Sequence, residues 1–318
     1  VAQNRLILDT DGGVDDAQAL LLLIANGRAP DAITTVFGNV SLASATRNIL
    51  TTLAVAGADI PVYGGAAQPL VQPIIDATHI HGEDGLGGAP RLEVFGDPHG
   101  DDAVQFLRET LLQAAMDGEK VDILTIGPLT NLALVLHLEP KVIAGIGRLI
   151  IMGGTLNGRG NTTPAAEFNI YADPEAASIV FGSDIETVVV PWETCATHQM
   201  QGQEIEEMFA GVGDSAGKRF SQALANQSRE IVKSYTGMDI MRFVDPLAAA
   251  VAIDPAIVTR SLTASVKVAL APGITRGMTV VDPSRRLGTP PVVLVEAVDL
   301  DRMKELYRAS VGELRLSA

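Results

Sequence analysis

The chain has 318 residues, 47% of them hydrophobic, and a formal net charge of −15, with no uninterrupted apolar run long enough to span a bilayer. An acidic chain without a clustered Lys/Arg face excludes nucleic acid as a partner and favours a small molecule. One cysteine, Cys195, excludes an intrachain disulfide framework. Although the sequence starts at Val1 rather than Met, no signal-like stretch precedes the first strand, so a cytoplasmic protein is expected.

In chain order, Arg5 to Asp9 reads as a strand, Ala17 to Ala25 as a helix, Ala32 to Phe37 as a strand and Ala43 to Ala56 as a helix, the βαβ rhythm of a parallel sheet. Gly64 to Gly100, rich in Gly, Pro and His, reads as a long loop. Next come a helix near Asp101 to Met116, a strand at Val121 to Ile126, a helix from Leu129 to Leu136 and a strand from Arg148 to Met152. After a second loop, Gly153 to Pro164, strands are predicted at Glu186 to Val190, Ser265 to Leu270 and Val292 to Ala297. Helices lie between them, and Leu300 to Ala309 closes the chain. The expected fold is a single α/β domain over residues 1–318, with a mostly parallel, Rossmann-like central sheet flanked by helices. Its active site should lie at the carboxyl ends of the strands.

The chemistry concentrates at Asp9-Thr10-Asp11-Gly12-Gly13-Val14-Asp15-Asp16, four carboxylates directly behind an apolar strand. Asp9 and Asp11 share a strand face, and Gly12-Gly13 turn the backbone so that Asp15 and Asp16 enter the first turn of a helix. Helix capping accounts for one or two aspartates. It does not account for two at a strand end, where Asp is a poor strand former, so a hard-cation site is expected, Ca²⁺ or Mg²⁺ rather than zinc. Asp11 is the candidate base toward a water molecule.

Two other motifs fail on context. Gly213-Asp214-Ser215-Ala216-Gly217 matches a nucleophile elbow, but all five histidines precede Ser215, and the preceding Glu204 to Phe209 reads as helix. Gly211 to Lys218 misses the Walker spacing, with Arg219 where Ser or Thr is needed. His79-x-His81 lies in the Gly-rich loop, so one imidazole is expected to face substrate and the other to be structural or solvated.

The Asp9 to Ala17 segment closely resembles the N-terminal signature of the inosine-uridine preferring nucleoside hydrolases, which usually carry Pro where this chain has Gly12. Phe37-Gly38-Asn39-Val40, His81 to Gly87, Gly127 to Asn131, Met152-Gly153-Gly154, Asn161 to Asn169 and Asp245-Pro246-Leu247 resemble further blocks of that family. The resemblance implies Ca²⁺-dependent hydrolysis of ribonucleosides to base and ribose by a homodimer or homotetramer acting in purine or pyrimidine salvage. It further implies that Asp11, Asp16, Asp245 and the carbonyl of Ile126 hold Ca²⁺, and that Asp11 deprotonates the attacking water. Asp15, Asn39, Asn161, Glu167 and Asn169 would hold the ribose, with Asp9 behind them orienting the others. Met152, Trp192 and Tyr235 complete the expected substrate pocket, with His81 as a second catalytic candidate. Acidic and amide groups around the sugar suit this chemistry, because cleavage at the anomeric carbon develops positive charge.

Val244 departs from the family pattern. Many members have a His before the last aspartate to protonate the departing base, and losing an acid can cost about 10²- to 10⁴-fold. Candidate substitutes are His81, Tyr235, Asp239, Trp192 by stacking, and Cys195. The alternatives that remain at this point are a hydrolase of another N-ribosyl compound, a non-catalytic ribonucleoside-binding protein and, less completely, an Asp-x-Asp phosphatase, which leaves Asn161 to Asn169 unexplained.

Overall fold

The structure, a computed structural model, describes residues 3–92 and 96–312. Its strands in chain order are β1 (Arg5–Thr10), β2 (Ala32–Thr35), β3 (Val62–Gly64), β4 (Val121–Thr125), β5 (Ile146–Met152), β6 (Glu186–Val190), β7 (Gln199–Gln201), β8 (Ile240–Arg242), β9 (Val258–Val268), β10 (Thr279–Asp282) and β11 (Pro291–Val298). Nine form one sheet in the order β10-β9-β11-β6-β5-β4-β1-β2-β3, and β7 pairs with β8 apart from it. From β11 through to β3 the neighbours are parallel, and β9 is antiparallel to both β10 and β11.

β1 shows why the strands read as continuous apolar runs. Leu6 and Leu8 pack into one core with the helices Val14–Ala25 and Asp245–Ile253, while Ile7 packs into a second core on the other face with the helices Ala103–Asp117 and Thr130–Leu138. A parallel strand covered on both faces buries every residue, so polar alternation is lost. The chain runs outward from β1 to β3, then returns to place β4 on the other side of β1. The strand order therefore reverses between β1 and β4, and a crevice opens beyond their carboxyl ends.

The predicted elements fall close to the observed ones, with Glu186–Val190 and Leu300–Ala309 coincident. The strand expected at Ser265 to Leu270 instead runs Val258–Val268. Its first half is polar and largely exposed, and antiparallel pairing to β11 holds it rather than an apolar pattern of its own. The second strand ends at Thr35, short of Phe37. The Gly64 to Gly100 interval is mostly loop, with a short helix at Thr78–His81; residues 93–95 lie outside the described set. Among the described residues no helix is long and apolar enough to cross a membrane.

Candidate active site

Sheet topology brings the acidic residues together. Asp11 leaves β1, the Gly12-Gly13 turn follows, and Asp15 and Asp16 open the helix Val14–Ala25. Asp245 opens the helix Asp245–Ile253, which packs beside the first, so two helix N-termini face one crevice. Gly12 has φ 66°, a left-handed conformation that a proline could not adopt, and a Cβ there would lie 2.5 Å from Ala45 Cα and 2.7 Å from Ala45 O. Gly12→Ala should therefore cost about 2 kcal/mol or more in stability, read as a lower urea midpoint. An unchanged midpoint would show that the turn relaxes freely.

Asp15, Asp16 and Asp245 each present an oxygen within 4.8 Å of the others. Asp11 joins them through Asn39, whose side-chain amide donates to Asp11 Oδ1 at 2.9 Å and to Asp16 Oδ2 at 3.0 Å, while its backbone N–H donates to Asp11 Oδ2 at 2.7 Å. Asp16 also accepts from the Thr10 hydroxyl and from the backbone N–H groups of Asp11 and Gly13. Asp9 lies behind, accepting from Thr34 and Asn131 through Oδ1.

These donors do not balance so much buried charge. Burial and then neighbouring carboxylates push Asp11 and Asp245 well above the ordinary aspartate range and raise Asp16 as well. Burial takes Asp9 and Asp15 up to about 6. The Asp15 Oδ1 atom is buried without a hydrogen-bond partner among the described residues. At the opposite, amino-terminal end of the central strands, burial also opposes the charge on Asp122. There Asn4 and Arg148, with Arg28 alongside, leave its pKa below the usual value. Among the described residues the acids of the crevice have no comparable cation, only the neutral His81, whose Nδ1 lies 3.7 Å from Asp15 Oδ1, and an all-oxygen set with a buried oxygen lacking a hydrogen bond fits a hard metal ion.

A cavity of about 590 Å³ opens from this cluster, lined by Asp15, Asn39, His81, Ile126, Met152, Asn161, Glu167, Asn169, Trp192, Tyr235, Arg242, Val244 and Asp245 among others. Glu167 caps the short helix Phe168–Ala172, accepting from Asn169 N, Ile170 N and Gly154 N. Burial nonetheless raises its pKa to about 7. Asn169 donates to the carbonyls of Ile126 and Met152, and Asn161 accepts from Phe168 N. Every predicted substrate residue thus lines one cavity. The predicted ligands Asp11 and Asp16 are fully buried behind its wall; the carboxylates that converge are Asp15, Asp16 and Asp245, so Asp15 stands where Asp11 was expected, and Asp11 has both oxygens taken by Asn39.

The candidate acids separate clearly. His81 is buried, and its Nδ1 accepts the Val14 N–H at 3.0 Å, which leaves the proton on Nε2. Burial lowers its pKa to about 4, so the ring is neutral at pH 7. Tyr235 lies on the exposed rim of the cavity, and Trp192 is part of its wall. Asp239 is excluded, being bound by two Arg229 nitrogens at 2.9 and 2.8 Å, which holds it ionised and outside the lining. Cys195 is excluded too: it is fully buried beneath Val244, its thiol donates to the Val244 carbonyl at 3.7 Å, and burial pushes its pKa well up. Ser215 merely caps the helix Ala216–Thr236.

Several contributors were not singled out from the sequence. Asn131 and Thr34 hold Asp9, and Asn48 ties the Gly12 carbonyl to that of Asp84. The two carboxylate oxygens of Glu193 accept from Leu156, Asn157 and Arg159 and fix the loop ahead of Asn161. Gly38 leaves no room for a Cβ beside the Asp11 carboxylate, and its place next to Asn39 was the one available signal. Arg242 was also missed, since one arginine in a short strand carries no periodic signature.

The sequence profile described as "Inosine-uridine preferring nucleoside hydrolase" matches residues 6–305. The pyrimidine-specific ribonucleoside hydrolase RihA of Escherichia coli K12 is 38% identical over 305 residues, 93% of this chain and 94% of that protein. The non-specific ribonucleoside hydrolase RihC of Klebsiella pneumoniae strain 342 is 47% identical over 185 residues, 58% of this chain, and the match spans only 60% of that relative's length. Among solved structures, a plant nucleoside hydrolase superposes with a TM-score of 0.87 at 31% identity, covering 98% of this chain and 99% of that one. A purine-preferring ribonucleoside hydrolase from Gardnerella vaginalis gives 0.88 at 26% identity, covering 97% and 98%.

Proposed function

The chain belongs to the inosine-uridine preferring nucleoside hydrolase family, and on that premise we propose that it hydrolyses the N-glycosidic bond of ribonucleosides to free base and ribose in a Ca²⁺-dependent reaction. The observation that carries this reading is the meeting of Asp15, Asp16 and Asp245, with the unpartnered Asp15 oxygen, at the floor of a cavity walled by Asn39, Asn161, Glu167 and Asn169. Asp11, Asp16, Asp245 and the Ile126 carbonyl, with Asp15 beside them, would hold Ca²⁺. When bound, the ion would lower the pKa of water and anchor the sugar hydroxyls.

The protein groups do the rest. Asp11 takes the proton of the attacking water, its carboxylate held in place through both oxygens by Asn39. Asp15, Asn161, Glu167 and Asn169 fix the ribose and surround its developing positive charge, while Asn39 holds Asp11 and Asp16 in place. Trp192 and Tyr235 flank the base, Met152 lines the cavity, and His81, neutral with its proton on Nε2, offers that N–H to the bound substrate. A cytoplasmic homodimer or homotetramer working in purine or pyrimidine salvage completes the reading.

The test is reducing-sugar release from a nucleoside panel and p-nitrophenyl riboside, with and without chelator. Turnover that stops with chelator and returns with Ca²⁺ supports the proposal. Nucleoside binding without turnover of any riboside would favour a binding protein, and phosphate release from sugar phosphates alone would favour the phosphatase reading.

A further inference from the structure

Arg242 lines the cavity and meets no carboxylate among the described residues. Met241 and Phe243 point into the core, so the alternating residues Arg242 and Val244 face the cavity, two positions apart. The Arg242 guanidinium carbon stands 5.5 Å from the centre of the Trp192 ring, in cation–π range, and its Nε is buried without a partner among the described residues. Arg28, Arg229 and Arg276, the other well-buried arginines, each meet a carboxylate, at 3.3, 2.8 and 2.8 Å. Burial alone depresses the pKa of Arg242, with no neighbouring acid restoring it. In a chain of net charge −15, a half-buried guanidinium left unpaired beside the substrate space points to a partner that arrives with the substrate.

We propose that Arg242 is the leaving-group residue of this hydrolase: held against Trp192, it stabilises the base as it departs as an anion, in place of proton donation from the position occupied by Val244. The inference rests on the hydrolase reading. The C1′–N bond breaks with its electron pair remaining on the base nitrogen, the water oxygen bonds to C1′, and the water's proton passes to Asp11. The base leaves with its charge spread over its ring and carbonyl oxygens, and solvent protonates it afterwards. Arginine keeps its proton throughout, and its planar fork of N–H donors matches carbonyl oxygens rather than amino groups. The substrates served best are therefore N-ribosides of oxo-heterocycles whose ring N–H is acidic.

The experiment compares kcat and KM for uridine and p-nitrophenyl riboside in Ca²⁺-loaded wild type, Arg242→Met and Arg242→Lys. Nitrophenolate is a stable anion and needs less help. Arg242→Met should lose about 10²-fold in kcat on uridine, the scale of removing one preorganised charge-stabilising donor, and much less on the activated riboside. Arg242→Lys, which keeps the charge and disturbs packing least, should fall between wild type and Arg242→Met in the ratio of the two rates. Equal losses on both substrates, a change in KM alone, or a Lys variant with the same ratio as Met would overturn the role of Arg242. Wild-type protein inert toward every riboside would instead defeat the hydrolase reading, and this inference with it.

Discussion

Asp11→Ala should lower kcat for ribonucleosides by about 10²- to 10⁴-fold, the range supplied by a positioned general base. Asp11 has no solvent exposure and is fixed through both oxygens by Asn39. A base so placed contributes when the proton moves, so the loss should fall on kcat more than on KM. Far-UV and near-UV circular dichroism would show the variant folded. A variant turning over within tenfold of wild type would remove Asp11 from the proposed role.

The second large effect links protons, cation and stability. In the cation-free protein Asp9 and Asp15 titrate near 6 and Glu167 near 7, while Asp11, Asp16 and Asp245 are also raised. In the unfolded chain such groups titrate near 4. Their folded pKa values are raised, so the fold binds more protons than the unfolded chain between pH 4 and 7. Their contribution to stability is fully present below pH 4 and is lost as pH rises through 6 to 7. Chelated protein should accordingly melt lower at pH 8 than at pH 5. A cation competes with those protons, so Ca²⁺ should raise the melting temperature more at pH 8, by the equivalent of about 4 kcal/mol at a thousandfold excess over Kd. Melting scans at both pH values, with Ca²⁺ and with chelator, measure this. A Ca²⁺ shift that is absent, or equal at both pH values, would contradict a carboxylate-held cation.

Arg242 and Val244 lie two positions apart on the cavity wall of this chain. RihA is named pyrimidine-specific, RihC non-specific and the Gardnerella enzyme purine-preferring. Membership in the family therefore leaves the base open. Trp192 supplies a flat apolar face and Arg242 a positive charge beside it, a combination that responds to the electronics of the leaving base more than to its size.

The sequence by itself determined the α/β class, most strand and helix positions, and the aspartate cluster. These rest on local signals: apolar runs of strand length, helical periodicity, and four acids crowded behind a strand with two glycines to turn it. That distant residues share the crevice was implied in the sequence only by the family resemblance, and the tertiary structure supplies the physical reason. Asp245 reaches Asp15 and Asp16 because its helix packs beside theirs, and Arg242 and Trp192 come together through folding of segments with no common pattern. The polar half of β9 was likewise fixed by its partner β11. The exclusion of Asp239 and Cys195 as acids was also invisible in one dimension, because a group's charge and access depend on the arginine or the core placed against it. Local spacing encodes what the backbone does with its neighbours. Electrostatic pairing and burial are set by residues tens to hundreds of positions away.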